Sequence, residues 1–205
     1  MPSGLLLPLF PLEVVLLPKA LLPLHIFEER YKVMIGEAIE RQSEFGVVLQ
    51  KDNAIANVGC TATVEQVTKR YHDGRLDIAA VGQRRFEILF LDEQKPYVRG
   101  GVHFFNDDPG TDPTLEAAGR LAALFERVGS LAPAEKEPPG EGVAPSFRFA
   151  ASLPLDLDFK QRLVSSHSEA ERVAWLSEYL EKVAPRLEFA RRVEQRARGN
   201  GKGRS

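Results

Sequence analysis

At 205 residues and 22.8 kDa the chain fits one large domain or two small ones, and with 43% hydrophobic and 27% charged side chains it can bury a core, which excludes a disordered polymer. A single cysteine, Cys60, excludes an internal disulfide and a multi-thiolate zinc site, so a reducing, cytoplasmic setting is expected. The net charge of -2 argues against broad nucleic-acid affinity, but it is unevenly spread: Arg186 to Ser205 holds seven basic residues against Glu188 and Glu194, a net of +5, which leaves -7 on residues 1–185.

The apolar opening from Leu5 to Phe27 is neither a signal peptide nor a membrane span. No basic residue precedes Lys19, and a spanning helix would have to carry Glu13, Lys19 and four prolines. Short buried strands between proline corners fit better. From Glu28 to Arg41 the spacing of Tyr31, Met34, Ile35, Ala38 and Ile39 predicts an amphipathic helix. Strands are predicted over 44–50, 61–71, 75–81, 85–91 and 97–105. Asp73-Gly74 supplies the tight turn between the second and third of these. The missing polar alternate face suggests a small closed barrel.

At residues 106–113, NDDPGTDP, β-branched residues give way to alanine and leucine, marking a domain boundary. Asp112 and Pro113 read as N-cap and first turn of a helix whose face is Leu115, Ala118, Leu121, Ala122, Phe125 and Val128. Residues 132–145, rich in proline and glycine, read as a mobile loop. Helices resume near Pro145, at 158–165, and from Ser168, where Ser168 and Glu171 form a capping box. Leu176, Leu180, Val183 and Leu187 continue as a bundle face, and Pro185 should kink it or begin a new helix. The expected architecture is α+β: a β domain over 1–107 with one long helix, an all-helical bundle subdomain over 112–196, and a basic flexible tail over 197–205.

Reactive chemistry is sparse. His25, His72, His103 and His167 stand at no ligand spacing, no GxSxG, HExxH or CxxC occurs, and GKG in the tail lacks the rest of a phosphate loop. Cys60 reads as a small buried thiol and the Asp107-Asp108 pair as turn chemistry. Accordingly no catalytic residue, cofactor or metal is assigned. The excess of apolar residues between Phe10 and Phe27 is more than one strand's core needs, and any left exposed would form a patch suited to apolar peptide segments. Arg84 and Arg85 border Phe86 on a strand and serve as a candidate polar rim.

The segments LPLFPLEVVLLPKALLPLHIFEERY, FGVVL, VGCTATVEQV, DGR and VGQRRFEIL, in that order, resemble the N-terminal substrate-binding domain of Lon proteases. The likeness runs from about Leu7 to Phe105, and LPLDLDFKQRLVSSHSEAERVAWLSEYL resembles the helical segment that follows in that family. The resemblance implies a PUA-like β pseudobarrel followed by a helical bundle, both of which help collect unfolded or degron-bearing substrates. It also implies a stand-alone binding domain, because these 205 residues hold no ATPase phosphate loop and no Ser-Lys protease site. The expectation is a non-enzymatic module that binds apolar segments of unfolded or degron-bearing proteins and hands them to a protease or chaperone, with no membrane partner. Its candidate peptide-binding residues are Pro23, Leu24, Phe27, Tyr31, Arg84 and Arg85, beside a cleft between barrel and bundle. The alternative is an RNA-binding PUA-like protein using the basic tail, against which the charge of the body counts.

Overall fold

The computed structural model describes residues 6–131 and 142–200, of which 194–200 by backbone alone. The strands are β1 (Leu7–Leu12), β2 (Leu21–Ile26), β3 (Phe45–Lys51), β4 (Ala54–Arg70), β5 (Leu76–Asp92) and β6 (Arg99–Phe104). The helices are α1 (Glu29–Arg41), α2 (Leu115–Leu131), α3 (Pro145–Ala150), α4 (Leu157–Ser165) and α5 (Glu169–Asn200).

The sheet order β2-β5-β4-β3-β1-β6 closes on itself because β6 pairs with both β1 and β5, giving a pseudobarrel in an α+β fold. One device permits this. β5 is a single 17-residue strand, not the two read from sequence, whose first half pairs with β2 and whose second half pairs with β6. The strand is long enough to change partners halfway, so β2 is left as an edge strand, where Pro23 removes no ladder hydrogen bond. Between β4 and β5, Gly74 takes a φ of 82°, the left-handed turn that Asp-Gly announced.

α1 buries Tyr31, Met34, Ile35 and Ala38 against the barrel core, which holds Phe10, Phe45, Val47 and Ile78. The helical part does not have a core of its own: Val15, Leu17, Leu49, Val58 and Phe105 from the barrel join Leu121, Leu163, Leu176 and Leu180 in one apolar cluster. α2 and α5 run in the same direction, since Arg120 pairs with Glu181 and Arg127 with Glu188, a constant offset seven residues apart.

The helix starts differ from expectation in detail. α2 begins at Leu115 with the Thr114 hydroxyl accepting from the Ala117 N–H, so Thr114 and not Asp112 satisfies the free donors, and Leu115 lies off the buried face at 94% exposure. Ser168 does cap α5 by accepting from the Glu171 N–H, while the Glu171 carboxylate accepts from the Ser166 hydroxyl instead of returning to Ser168. Pro185 lies inside α5, which continues through it to Asn200. Residues 197–200 of the expected tail are thus helical, and 201–205 lie outside the described residues, as do 132–141 of the expected loop.

Candidate functional site

The chain between β1 and β2 is the clasp that joins barrel to helices. Its side chains alternate: Val15 and Leu17 enter the helical cluster, whereas Leu16 enters the barrel core. Lys19 then adopts a φ of 61°, and the turn is pinned to β5, with Lys19 N–H donating to the Gly82 carbonyl at 2.8 Å and Gly82 N–H donating to the Ala20 carbonyl at 3.0 Å. Only glycine fits at 82, since a Cβ there would sit 2.2 Å from the Leu17 carbonyl oxygen.

This clasp forms one wall of a groove of about 410 Å³, lined by residues 14–17 and 19–23 on the barrel side and by Ala151 and Lys160 on the helical side. Buried Leu16, Leu17 and Leu22 contribute its inner surface, and Leu21, 53% exposed, and exposed Pro23 stand on the β2 edge. Its size falls within the range of about 300–1,000 Å³ usual for binding pockets.

Of the six residues singled out in the sequence, Pro23 alone lines this groove. Leu24 is half-buried against the barrel core. Phe27 is 60% exposed and stacks on His25 at 5.9 Å between ring centres. Tyr31 is a correction: it is buried, packs against Phe10 at 4.1 Å and belongs to the core, and burial holds its hydroxyl pKa above the ordinary value. Arg84 is exposed but occupied, paired with Glu44 at 3.1 Å and lying over the Phe104 ring. Arg85 is the second correction. An extra residue bulges β5 between Gly82 and Arg85, opposite Ala62 and Cys60, and beyond it Arg85 points into the junction with the helices, where it is only 6% exposed.

Arg85 belongs to a network that sequence reasoning missed. The Asp107 carboxylate accepts from Arg85 Nη2 at 2.6 Å and from Arg172 Nη1 and Nη2 at 2.7 and 2.5 Å. Arg172, fully buried, also donates to Glu169 Oε2 at 2.7 Å, and Glu169 accepts from both the N–H and the hydroxyl of Ser146. Both guanidiniums donate to the Ser166 carbonyl. Burial pushes the Asp107 carboxyl up, but the hydrogen bond from Arg172 and the charges of both arginines outweigh it and hold the pKa below its ordinary value. The network ties β5, the linker after β6, α3 and α5 together, and thereby fixes the helical wall of the groove.

Other apolar surface lies elsewhere. Leu89, Phe90 and Leu91 at the end of β5 are 66%, 53% and 46% exposed, and Phe189 and Val193 protrude from α5. Cys60 is buried in β4 and its thiol is pushed up to about 12 by desolvation. Among the described residues no group of three or more His, Cys, Asp or Glu is placed to hold a metal, and no helix is long and apolar enough to cross a membrane.

Residues 6–182 match the family model described as the ATP-dependent protease La (LON) substrate-binding domain. The structure is similar to the crystal structure of a Lon N-terminal domain protein from Xanthomonas campestris, with a TM-score of 0.68 and 29% identity, covering 84% of this chain and 96% of that one. The N-terminal domain of a Mycobacterium avium complex Lon protease shares the fold at a TM-score of 0.63 and 13% identity, covering 86% of this chain and 98% of that one. In sequence, Lon protease 2 of Herpetosiphon aurantiacus is 25% identical over 208 residues, which is 92% of this chain but 25% of that protein. Lon protease of Dictyoglomus thermophilum is 24% identical, again over 92% of this chain and 26% of its own length. The chain therefore spans about a quarter of the length of these relatives.

Proposed function

The chain belongs to the LON substrate-binding domain family, and from that premise we propose that it is a protein-binding module that takes apolar segments of unfolded or degron-bearing polypeptides into the groove between barrel and helices. The observation that carries this reading is the groove itself, walled by an edge strand and a clasp whose leucines form its inner surface. Leu21 and Pro23 offer apolar area to a ligand, and Pro23 lacks the N–H with which a guest strand would pair, so recognition runs through side chains more than through strand addition.

In this reading the module collects clients and does not transform them, acting in the cytoplasm and passing clients to a protease or chaperone. Support for a non-catalytic role comes from the family, whose description is that of a substrate-binding domain. The helix-bound basic residues give little support to RNA binding: Arg191 donates to the Ser130 carbonyl and Arg192 to the Glu188 carbonyl, holding the end of the bundle.

The test is fluorescence anisotropy with a labelled apolar peptide, comparing the parent protein with Leu21→Asp, a substitution at an exposed position. Micromolar binding, weakened at least tenfold in the variant while its thermal unfolding is unchanged, is expected. Undiminished binding by the folded variant, or salt-sensitive RNA binding with no peptide binding, would remove the proposal.

A further inference from the structure

The second half of α5 sorts its side chains by face. Leu180 and Ala184 are buried in the helical cluster. Glu181 and Glu188 turn toward α2 and are taken up by Arg120 and Arg127. At 3.6 residues per turn, Pro185, Phe189 and Val193 fall in one row on the side opposite the buried residues. Nothing in the bundle covers that row: Pro185 is exposed, Phe189 is 65% and Val193 49% exposed.

Arg186 and Arg192, three positions before and three after Phe189, stand on the two flanks of this row. Both are exposed, and among the described residues no carboxylate pairs with either. Arg192 donates to the uncharged Glu188 carbonyl, while the Glu188 carboxylate is held by Arg127. Lys182, one turn earlier, is matched by Glu178 at 2.5 Å. The result is an apolar ridge between two uncompensated cations, in a segment whose net charge of +5 opposes the -7 of the body.

A second copy is disfavoured as occupant, because ridge-to-ridge contact brings the arginines of both copies together. A membrane surface calls for an apolar arc wider than about 100°, and three positions four apart span only about 80°. Phosphates would engage the arginines and leave Phe189 and Val193 unused. A row of side chains four apart is, in contrast, the ridge that one helix lays into the groove of another. We infer that the end of α5 docks an amphipathic helix of another protein, apolar along one face and carrying Glu or Asp on both sides of that face. The ridge supplies contact area, and Arg186 and Arg192 choose among apolar helices by favouring acidic flanks. This surface shares no residue with the groove, so the inference does not depend on the groove binding peptides.

The probe is a labelled, Ala-rich peptide of about 20 residues, long enough to be helical alone, with leucines four apart flanked by Glu, alongside counterparts flanked by Gln or Lys. Each is titrated by fluorescence anisotropy against the full chain, Phe189→Ser/Val193→Ser, Arg186→Gln/Arg192→Gln and the groove variant Leu21→Asp, with thermal unfolding to confirm that every variant is folded. An exposed ion pair contributes at most about a fivefold factor. Glu-flanked peptide should therefore bind about three- to tenfold more tightly than Gln-flanked peptide, and Lys-flanked peptide more weakly than either. The arginine double variant should lose this preference and still bind the Gln-flanked peptide as the parent does. The Phe189/Val193 double variant should bind all three at least tenfold more weakly, and Leu21→Asp should change nothing. No binding of the Glu-flanked peptide, equal affinity for Glu and Gln flanks, or binding that only Leu21→Asp weakens overturns the inference, the last by moving the peptide to the groove. A dimer in sedimentation that Phe189→Ser/Val193→Ser dissolves, or binding to phosphatidylserine vesicles with that same dependence, assigns the ridge to a second copy or to a membrane and overturns it equally.

Discussion

Replacing Asp107 with alanine removes the carboxylate that two buried guanidiniums share, at contacts of 2.5 to 2.7 Å. The two arginines do not lose equally. Arg172 keeps Glu169, whereas Arg85 is left with the Val164 and Ser166 carbonyls and no carboxylate, at 6% exposure. Deleting one partner of a buried ion pair costs about 3–5 kcal/mol, because the remaining charge keeps its desolvation without its compensation. Asp107 itself is 29% exposed, which places the cost at the lower end, about 3 kcal/mol. For a chain of this size about 2–4 °C accompanies each kcal/mol, so Tm should fall by about 6–12 °C in differential scanning calorimetry. The neighbouring Asp108→Ala is the control: that side chain is 68% exposed and its ion pair, with His167, is long at 3.8 Å, so its effect should stay within about 0.5 kcal/mol. Equal and small shifts for the two variants would refute the claim that Asp107 locks barrel to bundle.

Acid should reveal the same lock. Because the pKa of Asp107 is held below its ordinary value, the folded state binds the proton less readily than the unfolded chain; the stabilisation is complete above about pH 4 and is lost as pH falls through the folded value. Urea midpoints measured from pH 6 downward should therefore decline less steeply in Asp107→Asn than in the parent, and parallel profiles would count against the assignment. Gly82→Ala, whose Cβ would meet the Leu17 carbonyl oxygen at 2.2 Å, should cost about 1–3 kcal/mol and weaken peptide binding, since the clasp must move; a variant with parental Tm and affinity would show that the clasp is not held there. The Cys60 thiol, buried and pushed up to about 12, should resist a maleimide at pH 8 until denaturant is added, and rapid stoichiometric labelling of the native protein would contradict its placement.

Local signals carried the sequence far along this chain. The three-and-four spacing of α1, the Asp-Gly turn and the Ser168 cap are short-range devices, and each appears where the sequence put it. The placement of Tyr31 was also legible, since the α1 periodicity puts it on the same face as Met34 and Ile35, hence in the core; that of Arg85 was not, because a bulge in β5 between Gly82 and Arg85 breaks the strand alternation there. The rest depends on long-range geometry. Asp107 meets Arg172 across 65 positions, so beside Asp108 it looks like one of two turn residues. Nothing around Gly82 announces that a carbonyl from the β1–β2 clasp approaches it, and the pairing of β5 with both β2 and β6 is fixed only once the barrel closes.

The most direct test of the groove as the working surface is hydrogen–deuterium exchange of the full chain with and without a saturating apolar peptide. Protection is predicted in residues 14–23 and around Ala151 and Lys160, with the ends of β5 and α5 unchanged. Protection confined to residues 89–91 or 189–193, with none in the clasp, would place the binding surface elsewhere and contradict the account.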